Sequence, residues 1–161
     1  MTNNDAIVTI VDKITKTNKA PCKKTLQKIV FLVEEKGLDL GCDYVIHFYG
    51  PYSSDLDFAI RSLKDDGILD ITVTHTEHII SVLNNDGYKS FDDDVIDNVI
   101  DEFGKDTPSD LELIATALYV YRGVQNESKI MDGVKKIKGQ KYKDAAICKA
   151  IRRLKKCDYI N

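Results

Sequence analysis

The chain lacks most of the features that announce a catalyst or a membrane protein. No apolar run approaches the roughly 18–20 residues that a membrane span requires, so no membrane partner is expected. The opening Met1-Thr2-Asn3-Asn4-Asp5 has neither the basic start nor the apolar centre of a secretory signal, which points to a cytoplasmic location. The four cysteines, Cys22, Cys42, Cys148 and Cys157, form no C-x-x-C pair and have no histidines at zinc-ligand spacing. They read as reduced packing thiols, and no metal is expected. The Gly-rich phosphate loop, the G-x-S-x-G elbow and the H-E-x-x-H helix are all missing. Neither a catalytic residue nor a cofactor is therefore expected.

What is present is an ordinary globular composition. The 161 residues, 43% hydrophobic and 30% charged, suffice for one domain or for two small ones sharing a core. The net charge of −3 argues against a general nucleic-acid binder. The charge is unevenly placed, however: residues 1–104 carry 10 Lys/Arg against 19 Asp/Glu, whereas residues 105–161 carry 13 against 7. An acidic first part and a basic second part constrain the partners.

Hydrophobic periodicity predicts a helix over Asp5–Asn18, broken by Lys19-Ala20-Pro21, and a second over about Cys22–Lys36, stopped by Gly37. Asp43–Tyr49 reads as a short strand ended by Gly50-Pro51. Ser53 or Ser54 then caps a helix, with Asp57 completing a variant capping box if Ser54 is the cap. That helix buries Leu56, Ala59, Ile60 and Leu63 and ends at Gly67. Ile68–Thr74 and Glu77–Leu83 form a β-hairpin. Further helices are expected over Phe91–Phe103, from Thr107-Pro108-Ser109 onward, over Ser128–Ile137 and over Lys143–Lys156, with a turn or short strand at the end.

The expected fold class is mainly α with a small β-hairpin. Helix, helix, short strand, helix, hairpin is the order of a winged helix-turn-helix, so residues 1–88 form a winged-helix-like unit and 89–161 a helical C-terminal region. Ala59-Ile60-Arg61-Ser62-Leu63-Lys64 returns as Ala150-Ile151-Arg152-Arg153-Leu154-Lys155. The echo reads either as a second, wingless helix-turn-helix or as two amphipathic helix ends that look alike.

Three segments carry a resemblance. Leu26-Gln27-Lys28-Ile29-Val30-Phe31-Leu32, His47-Phe48-Tyr49-Gly50-Pro51-Tyr52-Ser53-Ser54-Asp55-Leu56 and Leu63-Lys64-Asp65-Asp66-Gly67-Ile68 follow one another in the order seen in the YwgA-like predicted transcriptional regulators. The chain also resembles, more distantly, the Panacea (SocA-like) antitoxin domain. The resemblance implies a winged-helix-like fold and a regulatory or antitoxin-type role, with no catalytic residues to carry over.

Candidate sites follow from the basic residues and from the aromatic corner. The helix after Tyr52 holds the recognition-helix position, yet sets Asp55, Asp57, Asp65 and Asp66 against only Arg61 and Lys64, which opposes phosphate contact. Lys23, Lys24 and Lys28 add charge at the start of the second helix. In the tail, Lys149, Arg152, Arg153 and Lys156 fall on one side of a helix, opposite Ile147, Ile151 and Leu154. These nine basic residues are the candidate DNA contacts. His47, Tyr49, Tyr52 and Ser53 read either as a platform for a partner's carboxylate or phosphate, or as a corner whose aromatics plug the core. His75 and His78 sit three apart in the hairpin and would diverge rather than share a metal. The leading expectation is a DNA-binding transcriptional regulator, dimeric, acting on double-stranded DNA. The alternative is an antitoxin-type module that binds a protein such as a toxin without binding DNA.

Overall fold

The structure is a computed structural model describing residues 2–161. Two helices are buried on nearly every side and form its centre. In α2 (Lys23–Glu35) all nine residues from Thr25 to Val33 are buried, and in α5 (Pro108–Val124) the same is true of Leu111–Leu118. A helix that is apolar around most of its circumference belongs inside a core, and these two pack on each other. Against them lie α1 (Asn4–Thr17) and α4 (Asp94–Phe103) on one side, and α6 (Ile130–Lys138) and α7 (Asp144–Lys156) on the other. The expected class holds: the fold is mainly helical, with small antiparallel hairpins.

The helix starts are fixed by side-chain caps. Asn3 accepts from the Ala6 amide at 3.0 Å and opens α1, while Asp93 opens α4 by accepting from Val95 at 2.8 Å. The acidic helix therefore begins at Asp94, not at Phe91. Ser53 caps α3 (Ser54–Asp65), its hydroxyl accepting from Leu56 at 3.2 Å. Asp57 thus lies one position too far along for a capping box. A short 3-10 turn, Glu127–Lys129, precedes α6.

The aromatic corner differs from its reading as the end of a strand. β1 (Val45–His47) pairs antiparallel with β2 (Gly50–Tyr52), with Val45 opposite Tyr52 and His47 opposite Gly50. Gly50 takes φ +94, open to glycine alone without strain, and so turns the chain back on itself. Pro51 lacks a donor, which an edge strand tolerates. The second hairpin, β3 (Leu69–Val73) and β4 (His78–Val82), is a separate sheet. It gains a third edge from the segment between α1 and α2: Cys22 bridges Ile79, and the Ile80 amide donates to Pro21 O at 2.8 Å.

The internal echo coincides with two helix endings of one geometry. Ile68 N donates to Leu63 O at 2.9 Å and Tyr159 N to Leu154 O at 2.9 Å, with Gly67 (φ +74) and Asp158 (φ +62) as the left-handed residues between. These are paired Schellman endings, each followed by an apolar residue that returns to the core. The C-terminal residues form no strand. Instead Tyr159 and Ile160 are buried, and the Tyr159 hydroxyl donates to Leu32 O at 2.7 Å. One apolar core runs without interruption from α1 to Ile160. Among the described residues, no helix is long and apolar enough to cross a membrane.

Candidate functional site

The β1–β2 hairpin is held on its inner side by buried ions. Lys28 of α2, only 2% exposed, donates from Nζ to Pro51 O at 2.8 Å. Burial lowers its pKa to about 8, partly offset by the charge of Glu112. Glu112 lies in the otherwise apolar middle of α5 and is 4% exposed. It accepts from Lys141 at 2.7 Å and from the Tyr142 hydroxyl, with Lys138 at 3.4 Å. Burial pushes the Glu112 carboxyl up, but the bonds from Lys141 and Tyr142 and the two ammonium charges hold it below its ordinary value. Lys138 also donates to Phe48 O at the hairpin tip. A Cβ on Gly50 would come within 2.9 Å of Thr116 Oγ1, so β2 lies tight on α5. Helices α2, α5 and α6 and the following loop thus clamp three residues of strand.

Beyond the clamp the hairpin stands in solvent. Val45 is 60% exposed, Phe48 78% and Tyr49 42%, and every residue of β1 is exposed. Alternate residues of a strand face opposite ways, so a wholly exposed strand projects from the body. Beside it lies a cleft of about 130 Å³ between α2, the hairpin and α3, lined by residues that include Lys23, Lys24, His47, Tyr49, Tyr52 and Ile60. The Lys24 ammonium sits 3.8 Å over the Tyr49 ring, and the His47 and Tyr52 rings are 5.1 Å apart. On α3, Phe58 is 66% exposed.

The nine candidate DNA contacts separate into three groups. Lys28 is excluded, because its ammonium is consumed beneath Pro51. Arg153 is excluded as well: it pairs with Asp106 at 2.8 Å, donates to Glu102 O at 3.0 Å and lies over the Phe103 ring, tying α7 to the end of α4. Lys23 and Arg61 share Asp57, at 3.3 and 3.8 Å. Lys24, Lys64, Lys149, Arg152 and Lys156 remain exposed and form no ion pair among the described residues. Of the candidate platform, Ser53 is fully buried, held by Gln27 through both its amide (2.8 Å) and its carbonyl (2.9 Å). It is a structural cap and cannot meet a partner. Tyr52 is half-buried and donates to Asp57 at 3.2 Å, while His47 and Tyr49 face solvent.

Sequence reasoning passed over Glu112 and Phe58, and it read Lys138 and Lys141 only as part of the basic second half. A signal existed for Glu112, which is the one charged residue in the run Leu111–Val120. Lys28 holds the same place in Thr25–Val33. A lone charge inside an all-apolar helix asks for a buried partner. No protein-family model matches the chain, and no curated protein shows significant similarity to it.

Proposed function

We propose that the chain is a winged-helix regulatory protein that contacts the phosphate backbone of duplex DNA through the outer face of α7. The observation that carries this reading is a stripe of Lys149, Arg152 and Lys156. They lie three and four residues apart on one side of α7 and are exposed, with no carboxylate at ion-pair distance among the described residues. At 1.5 Å per residue the stripe covers about 10 Å, enough for successive phosphates on one strand. Asp106 and Asp110 share a shallow groove with Lys149, which Arg152 and Lys156 do not line. The order of elements supports a winged-helix reading: α1, the Pro21–Cys22 edge on β4, α2, α3 and the β3–β4 hairpin follow the winged-helix sequence, with β1–β2 inserted before α3. The acidic outer face of α3 makes that helix a poor groove reader, which shifts the contact to α7.

Titration of duplex DNA at several salt concentrations tests the proposal. Three neutralised phosphates give a log–log slope of about −3, and double that for a dimer. Lys149→Glu with Arg152→Glu abolishes binding at 50–100 mM salt (roughly a 100-fold loss) while leaving the unfolding midpoint unchanged. DNA left unbound by the wild-type chain at low salt, or bound equally by the double variant, refutes it. A second reading, an antitoxin-type module, draws on the projecting hairpin and Phe58, since exposed aromatic patches mark protein contacts. Specific recovery of one protein from the native host, lost with Phe48→Ser, would favour it.

A further inference from the structure

We propose that the outer edge of β1 pairs with β1 of a second copy of this chain, antiparallel about a two-fold axis at Ile46, joining the two hairpins into one four-stranded sheet. The proposal goes beyond the DNA reading and does not depend on it.

The edge is open because of Pro51. Antiparallel strands alternate between residue pairs that exchange backbone bonds and pairs that do not. Ile46 lies opposite Pro51, which has no N–H, and the Pro51 carbonyl accepts from Lys28 of α2. The exchanging pairs are therefore His47–Gly50 and Val45–Tyr52, and Ile46 turns both its N–H and its C=O away from β2. No other backbone group bonds them among the described residues. Asp43 follows the same alternation, its amide pointing inward to the Asp55 carboxylate at 3.0 Å. On the far side of the hairpin Gly50 and Pro51 are buried, so β2 offers no second edge. With one free edge per chain, pairing two copies closes a dimer and does not start a fibre.

Native edge strands are commonly guarded by a lysine, a proline or a bulge that keeps other strands away. β1 has no such guard. Val45-Ile46-His47 and the Phe48-Tyr49 turn contain no lysine, proline or carboxylate. Val45, Ile46 and Phe48 stand in solvent along the same edge, an apolar strip left unpaired.

The two ends of the strand select a second copy as the occupant. Asp43, just before β1, is an exposed acid. At the other end the exposed Lys24 sits 3.8 Å over the Tyr49 ring, with no carboxylate at ion-pair distance among the described residues. A strand acidic at one end and basic at the other is complementary to itself when reversed. With Ile46 facing the partner's Ile46, the two exchange both backbone bonds. Val45 then faces the partner's His47, and Tyr44 the partner's Phe48. Asp43 reaches the tip of the other hairpin, where the partner's Lys24 lies. Opposed residues share one face of a sheet, and the two-residue period puts Asp43 on the face of His47. His47, Tyr49 and Lys24 line one cleft, so acid and ammonium meet on the same side. No residue of α7 takes part, and the dimer and the DNA contact do not compete.

Sedimentation equilibrium of the full chain without DNA, with amide exchange alongside it, reads the outcome. Wild type passes from monomer to dimer over roughly 1–100 µM, and the Ile46 amide gains protection over the same range. Ile46→Pro removes the outward N–H and spares every bond between β1 and β2, so it weakens association about 30-fold with unchanged circular dichroism. Val45→Lys sets a guard on an exposed position and weakens association about 10-fold without altering the backbone. Asp43→Lys weakens it about 3-fold, and adding Lys24→Asp restores the wild-type affinity by re-forming the pair with its signs exchanged. A chain that stays monomeric across that range overturns the proposal, as does a dimer that withstands both Ile46→Pro and Val45→Lys. A charge exchange that restores nothing overturns the pairing about Ile46.

Discussion

The two hairpins solve the same problem in opposite ways. β3–β4 has five residues a side and pairs along its whole length. It buries Leu69 and Ile80 in the main core and gains an extra edge at Cys22. Its stability is apolar and local. β1–β2 has three residues a side, too few to hold together alone in water. It survives because Lys28 takes the Pro51 carbonyl, Lys138 takes that of Phe48, and Gly50 lies flat on Thr116. A hairpin held through β2 and its tip carbonyl leaves β1 free for other contacts, and one held by an apolar face does not. The presence of buried ions beneath the projecting element is thus connected to its exposure.

The sharpest way to break this contrast is to remove the anion. Glu112→Gln leaves Lys138 and Lys141 without their shared carboxylate, and losing one partner of a buried pair costs about 3–5 kcal/mol. Chemical denaturation measures the loss, and amide exchange should show β1–β2 opening before β3–β4. The acid limb gives an independent check. Because Glu112 is held below its ordinary value of 4.5, its contribution is complete at neutral pH and disappears as pH falls through the folded pKa. The Gln variant should lose that part of the acid dependence. A loss below 1 kcal/mol would show that the clamp is not what holds the hairpin.

Next in size is a pair of glycine substitutions. Gly50→Ala combines left-handed strain with a Cβ 2.9 Å from Thr116 Oγ1, for about 3 kcal/mol in total. Gly67→Ala, before the other hairpin, meets nothing within 4 Å and carries only the strain, about 1 kcal/mol. Equal losses would mean that β2 is not seated tightly on α5.

A smaller effect follows from Lys28. Its pKa, lowered to about 8, lies below that of the unfolded chain, near 10.5, so between those values the unfolded state binds more protons. Stability therefore rises with pH across that window, by about 1–2 kcal/mol from pH 8 to 10. Lys28→Met should flatten this rise, because it removes the titrating group and fills the same volume. A wild-type profile that is flat or falling from pH 8 to 10 would contradict the burial argument.

Much of the scaffold was legible because it is written in local chemistry. Apolar periodicity placed the helices to within a few residues, and β-branched runs located β3 and β4. The corner at Gly50 was misread because glycine and proline are strong terminators, and only contact with α5, sixty residues away in sequence, makes Gly50-Pro51-Tyr52 a strand. The basic residues were misassigned for a related reason. Periodicity put Arg153 beside Arg152, but only the position of α4 makes one an internal strut and leaves the other free. Charge counts register how many cations a helix has, not which of them already have partners. The cleft was out of reach altogether, since its walls come from three elements that no spacing rule connects.

The smallest stability effects belong to the hairpin tips, and they separate the two hairpins most cleanly by function. Phe48 is 78% exposed and Val73 67% exposed. Serine at either position should shift stability by no more than about 0.5 kcal/mol, as exposed substitutions generally do. Phe48 also stacks edge-on against Tyr49, at 4.9 Å between ring centres, on the wall of the cleft. Val73 ends β3, with His78 opposite it, far along the chain from that wall. If the two hairpins divide the labour as their anchoring suggests, Phe48→Ser weakens specific recovery of a protein partner from the native host and Val73→Ser leaves it unchanged. Equal weakening by both would mean that the β3–β4 hairpin shares the contact, and the free face would then no longer be a property of the ion-clamped hairpin alone.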